Sequence, residues 1–255
     1  MNTVSQIKER FKVNKTFLDD IITNFDTKGQ DFGNQDRNAL KLFQLNDKTL
    51  NVKSFRVPNF VNQVAYKFFR KSKAERSYKY ACRLTTLGIG TPQPVAYYEY
   101  KTPFLFKNSY YISEQLDCDL TYRELTKDLN YPNRDAILRA FTRFTYELHE
   151  NHINFLDHSP GNTLIKITDK GYDFFLVDLN RMNFRAMDFK TRVKNFAKLT
   201  VHQELIEVMS DEYAKCIERS YDEVFSLMWY YTQDFQKRFW RRRRLKKKLK
   251  FWKSN

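Results

Sequence analysis

The apolar positions of the chain follow two rhythms, and the change from one to the other divides it. In the first half, runs of β-branched and aromatic residues predominate. They lie around Phe25–Phe32, in NALKLFQL (38–45), TLNVKSF (49–55), PVAYYEY (94–100) and SYYISEQL (109–116). Short runs of this kind predict strands, and NDK at 46–48 predicts a hairpin turn. TFLDDIITNF (16–25) predicts a short amphipathic helix. Helical spacing returns near Val61, strengthens through 73–88 and stops at Gly88, a residue suited to ending a helix. In YPNRDAILRAFTRFTYELHEN (131–151), Ile137, Phe141, Phe144 and Leu148 recur every three or four residues behind Asn133, an N-cap candidate. That spacing predicts a long helix. TLIKI (163–167), TDKG (168–171) and YDFFLVD (172–178) predict a second hairpin, and the chain from about Asp188 to Trp240 reads as helical.

Strands with one main helix, then helices with one small hairpin, predict an α+β class in two lobes. The expected division is a strand-rich, nucleotide-binding N-lobe over 1–114, a helical C-lobe over 115–234 and a basic tail over 235–255, with a hinge near Gln115–Asp119. The length of 255 residues supports a sizeable core, and 42% hydrophobic with 16% aromatic residues excludes a disordered chain. The three cysteines, Cys82, Cys118 and Cys216, are far apart without a CxxC spacing, which argues against a disulfide framework or structural zinc. The charged N-terminus does not read as a secretory signal, and no run approaches the ~20 apolar residues of a membrane span. A cytoplasmic protein, peripheral on the inner face of the membrane, is the expectation.

Charge changes the picture at one place. Eleven Lys and Arg lie between Lys237 and Lys253 with no acid, out of a net charge of +15. The body is therefore nearly balanced. Phe239, Trp240, Leu245, Leu249, Phe251 and Trp252 interleave these cations. A helix with cations on one side and apolar residues on the other lies well on an anionic membrane surface. Nucleic acid is the rival partner, because it also takes basic and aromatic groups.

Candidate chemistry centres on FLDHSPGNTLI (155–165). Asp157 and Asn162 lie on the way into the second hairpin, and Asp178 lies where that hairpin runs out. The turn brings Asp178 back to the edge that holds Asn162. Carboxylate and amide oxygens suit Mg²⁺ with phosphates and waters, and Asp157 suits an incoming hydroxyl proton. Asp and Asn are also common in turns; the spacing of the three residues is what favours a site.

DHSPGN followed by LIKI and FFLVDLNRM resembles the catalytic loop and metal-binding segment of protein-kinase-like phosphotransferases. With KAERSYKYACRLTTLGIGTPQPVAYYEY, it more closely resembles the lipopolysaccharide kinase family, whose members phosphorylate Kdo or heptose. The resemblance spans about residues 25–200. It implies a two-lobed protein-kinase-like fold, ATP and Mg²⁺ as cofactors, and a sugar or glycolipid acceptor. It assigns proton acceptance to Asp157, metal binding to Asn162 and Asp178, and the α/β-phosphates to Lys53. Glu75 becomes the expected partner of Lys53, and Glu114 lies in the segment ISEQL that would meet adenine.

The pattern departs from protein kinases in instructive ways. Phe155 and Leu156 replace the His and Arg that precede the loop aspartate, so an activation-loop phosphate is not the expected switch. The phosphate-covering loop, KGQDFGNQDRN, has Gly33 and Arg37 as its candidate contacts but no GxGxxG. A catalytically silent kinase-like module and a protein Ser/Thr kinase therefore stand as alternatives. His158 is a candidate substrate contact, and the HxxH of His149 and His152 reads as packing or capping in the absence of a third ligand.

Overall fold

The computed structural model describes residues 2–34 and 38–251, with no side-chain account for 2 and 248–251. The chain divides into two compact units, Met1–Asp117 with Phe175–Arg181, and Cys118–Phe174 with Met182–Asn255.

The first unit is built on a six-stranded antiparallel sheet. Its strands are β1 (Asn2–Ile7), β2 (Gln30–Asp31), β3 (Asn38–Leu45), β4 (Lys48–Phe55), β5 (Pro94–Lys101) and β6 (Phe106–Glu114), in the order β1-β5-β6-β4-β3-β2. Helices α1 (Lys15–Thr23), α2 (Phe60–Phe68) and α3 (Lys73–Thr86) complete it. Strand alternation sorts β4 onto two faces. Leu50 and Val52 join Leu18, Ile21 and Ile22 of α1, whereas Phe55 joins Ala74 and Tyr78 of α3. Lys53 therefore shares the α3 face with Phe55. The β3–β4 turn is tighter than the sequence suggests. Leu45 pairs with Lys48, leaving Asn46 and Asp47 as the turn, with Asn46 at φ +54°. The strand expected around Phe25–Phe32 is reduced to Gln30–Asp31. Thr27 and Lys28 donate back to the Asn24 carbonyl, and Gly29 turns at φ +83°. α3 ends as expected, with Leu87 as its C-cap and Gly88 at φ +75°.

The second unit is mostly helical. In chain order it comprises β7 (Leu120–Thr121), α4 (Tyr122–Lys127), α5 (Arg134–Glu150), β8 (Ile153–Phe155), β9 (Thr163–Thr168), β10 (Gly171–Leu176, its last two residues counted with the first unit), β11 (Met182–Phe184), α6 (Phe189–Lys194), α7 (Gln203–Cys216) and α8 (Tyr221–Phe251). A 3-10 turn, Asn195–Lys198, follows α6. Ile137, Phe141, Phe144 and Leu148 of α5 are all buried, as their spacing requires. Asn133 occupies the N-cap, but at φ +55° and without a side-chain capping bond. Arg139 and Arg143 tie α5 to Asp211 and Glu212 of α7. Lys215 with Arg139 holds the Asp211 carboxyl below the usual carboxylate range, and against the pull of burial Arg143 with Arg139 holds Glu212 below it too.

α8 packs through Val224, Met228 and Thr232, one turn apart, and every described side chain from Lys237 to Lys247 is exposed. The two-sided tail expected from the sequence is not what the helix presents. At roughly 100° per residue, Arg238, Arg242 and Lys246 fall in the same stripe as Phe235, Phe239 and Leu245. Arg243 lies over the Trp240 ring at 5.3 Å. Cations thus encircle the helix. Trp252 and Lys253 lie outside the described residues. Among the described residues, no helix is long and apolar enough to cross a membrane.

Candidate active site

In the first unit, the α3 face of the sheet carries Lys53. Its ammonium donates to Asp178 Oδ1 at 2.8 Å and lies 5.5 Å from the Phe55 ring centroid. Asp178 belongs to the Phe175–Arg181 segment of this unit. That segment is anchored to the loop before β5: Leu176 N donates to Gly90 O, and Thr91 Oγ1 donates to Leu176 O, both at 2.9 Å. Asp178 sits at φ +58°, a left-handed conformation that costs an Asp little compared with bulkier residues, and Asn180 Nδ2 donates to the same Oδ1 at 2.8 Å. Two hydrogen bonds thus fix one carboxylate oxygen.

The expected Lys53–Glu75 pair is replaced. Glu75 takes Lys79, one turn further along α3, at 2.6 Å, while Lys53 takes Asp178. The i,i+4 geometry makes Lys79 the nearer cation for Glu75. The Glu75 charge also reaches Tyr97, whose hydroxyl is raised to about 12, chiefly by burial. Glu114 pairs with Arg10 at 2.7 Å and Lys48 at 2.8 Å. The backbone N–H of Glu114 is bonded to Gln93 O and that of Gln115 to Thr49 O. These two amides are committed within the unit, so adenine recognition through them would require breaking strand-end bonds. Gly33 is exposed at φ +66° with open space where a Cβ would stand. Arg37 lies outside the described residues.

In the second unit, β8 delivers the chain into the 157–162 loop. Asn162 Nδ2 donates to the Asp157 carbonyl at 2.7 Å, closing the loop on itself. Beneath it lies a buried polar network centred on Asn195. Its Nδ2 donates to Phe155 O at 2.9 Å and to Asn154 Oδ1 at 3.1 Å. Its Oδ1 accepts from His158 Nδ1 at 3.1 Å and from His149 Nε2 at 3.4 Å, and His149 Nδ1 accepts the Tyr213 hydroxyl at 2.7 Å. His158 is 1% exposed, its ring set against Phe141 and Phe155. It is therefore a buried strut and not the substrate contact its loop position suggests. Burial pushes His158 down to about 4 and His149 to about 3, so both rings are neutral.

Lys198, at the end of the 3-10 turn, was not legible in the sequence. Its ammonium donates to the Leu156 carbonyl and stands 3.6 Å from Asp157 Oδ1, with both side chains about one-third exposed. Arg123 lies over Gly161 so closely that a Cβ there would strike its guanidinium. The loop thus combines an acid with two nearby cations, a set suited to an anionic transferred group. Among the described residues, no cluster of three or more His, Cys, Asp or Glu side chains forms a metal site.

An antiparallel sheet with a buried-face lysine, followed by a mostly helical unit holding the Asp-x4-Asn loop, defines a protein-kinase-like phosphotransferase. The solved structure of WaaP in complex with acyl carrier protein matches with a TM-score of 0.64 at 17% identity, covering 93% of this chain and 99% of that one. The family model described as lipopolysaccharide kinase (Kdo/WaaP) matches residues 34–221, and the chain belongs to that family. It is accordingly a kinase. No curated protein matches the chain.

Proposed function

We propose that the chain transfers phosphate from ATP to a sugar hydroxyl, of Kdo or heptose, in a lipopolysaccharide core or related glycolipid at the cytoplasmic face of the membrane. The observation that supports this most is the 2.8 Å pairing of Lys53 with Asp178, residues 125 positions apart in the chain. These are the positions that the family resemblance assigns to phosphate and to metal. Lys53 would exchange its carboxylate partner for nucleotide phosphate, and Asp157 would orient the acceptor hydroxyl and take its proton. Lys198, 3.6 Å from Asp157, would offset charge on the transferred group. Asp178 and Asn162, the positions the resemblance assigns to metal, would hold Mg²⁺, which would offset the charge of the nucleotide phosphates.

The exposed cations of α8 support attachment to an anionic membrane. Each is worth about 1 kcal/mol near such a surface, so a few engaged together suffice for peripheral binding. Because cations surround the helix, this attachment would be charge-led and salt-sensitive, with Trp240 and Phe239 as minor insertions. The reading is tested on cells with and without the protein, by the mass of their core glycolipid. A deficit of one phosphate in its absence supports it, and identical masses refute it.

A further inference from the structure

α2 wears its apolar side outward. At roughly 100° per residue, Phe60, Val61, Val64 and Phe68 share one face, and none is buried. Phe60 is 68% exposed, Phe68 56% and Phe69, just past the helix, 83%. The inward face is the polar one. Gln63 donates to the Pro58 carbonyl at 2.9 Å, and Tyr66 packs on Phe106 of β6 at 5.7 Å. Phe104, in the turn that leads into β6, is likewise exposed. Asn59 caps the helix by accepting from Asn62 N at 3.1 Å, so the arrangement is ordered and not a frayed loop. Scattered exposed apolar residues need no explanation, but a helix face of this kind does.

The charge around this face selects its occupant. Between Arg56 and Ala74 there are five cations, Arg56, Lys67, Arg70, Lys71 and Lys73, and no acid. Arg56 and Lys73 border a cavity of about 510 Å³ on the side of α2 that carries Tyr66. An apolar stripe of Phe and Val, flanked along the chain by Lys and Arg with no acid among them, matches a bilayer interface, where rings enter the acyl boundary and cations meet headgroup phosphates. Nucleic acid would stack on the rings but gains little from Val61 and Val64. We propose that α2, with Phe69 and Phe104, is an interfacial docking surface for an anionic lipid bilayer, separate from the α8 cations. This rests on the reading of the acceptor as lipid-borne, and it assigns the first unit its own contact with the surface that carries the acceptor.

Flotation of the full chain with phosphatidylglycerol-containing vesicles, and with phosphatidylcholine vesicles alone, tests it. The combined variant Phe60→Ser, Phe68→Ser and Phe69→Ser should partition onto anionic vesicles at least about tenfold more weakly. Phe69→Ser alone should fall between this variant and the wild type. Thermal unfolding should be unchanged, since these side chains are exposed. What binding remains in the combined variant should vanish in high salt, as expected of the α8 cations. Wild-type partitioning by the combined variant would overturn the proposal. So would wild-type partitioning accompanied by loss of binding to an RNA or an acidic soluble protein. Phosphate transfer from ATP to delipidated core oligosaccharide, measured in parallel, reports on the kinase reading alone. If the wild type fails there, that reading fails whatever the vesicles show.

Discussion

Acid should destabilise the second unit well before its carboxylates are protonated, and the two buried histidines are the cause. His149 and His158 sit in the network beneath the 157–162 loop, with folded values of about 3 and about 4 against an ordinary value of 6.5. A histidine with a depressed folded value is held neutral by the native state and takes its proton only on unfolding. The unfolded chain therefore binds more protons below pH 6.5, and stability falls as pH drops through that value towards the folded ones. At pH 8 neither ring contributes. At pH 5 each costs roughly 2 kcal/mol, and together about 4 kcal/mol, a large share of a typical domain's stability. The assay is urea unfolding at pH 8, 6.5 and 5, followed by far-UV circular dichroism. Most of the loss should fall below pH 6.5. His158→Leu should remove about half of the pH dependence, whatever it does to absolute stability. Equal stability at pH 8 and pH 5 in the wild type would refute the reasoning. So would an unchanged pH slope in the variant.

Other expectations follow from the same geometry. ATP with Mg²⁺ at about 100 times its Kd should stabilise the wild type by about 2.7 kcal/mol. Lys53→Met should abolish that shift in a thermal melt, and an undiminished shift would remove Lys53 from nucleotide binding. Lys198→Ala should lower kcat on the order of 100-fold with little change in KM for ATP, while Lys198→Arg keeps part of the rate. A rise in KM alone would assign Lys198 to ground-state binding. Gly29→Ala should destabilise the first unit by about 1–3 kcal/mol in denaturant unfolding, because its Cβ would lie 2.5 Å from the Phe43 ring at φ +83°. Phe155→Ala, at a fully buried ring, should cost about 3–5 kcal/mol in the same assay.

What the sequence made legible was local. The four apolar residues of α5 are spaced so that burial leaves no other element open to them, and the β3–β4 hairpin is written in adjacent runs. β1 was missed because its described side chains, Thr3 to Ile7, are nearly all exposed and carry no alternation; only its pairing with β5, 89 to 99 residues away, makes it a strand. α2 read as the start of one helical run with α3, and its outward apolar face is invisible without knowing which side the sheet takes. The site divides in the same way. Asp157, Asn162, Asp178 and Lys53 are marked by their neighbours in sequence, but the partner of Lys53 is not, since helix position alone does not say whether Glu75 faces the sheet or Lys79. Lys198 and Asn195 reach the loop from about forty residues downstream, and no motif announces either.

The most direct measurement is label transfer from γ-labelled ATP to purified core glycolipid by the full chain and by Asp157→Asn. The swap removes the carboxylate while nearly preserving its shape, and it leaves untouched the Asp157 carbonyl that Asn162 holds. Label on the glycolipid with the wild type, and its loss by several orders of magnitude with the variant, is the predicted result. Comparable labelling by both proteins, or none by either, would contradict the account.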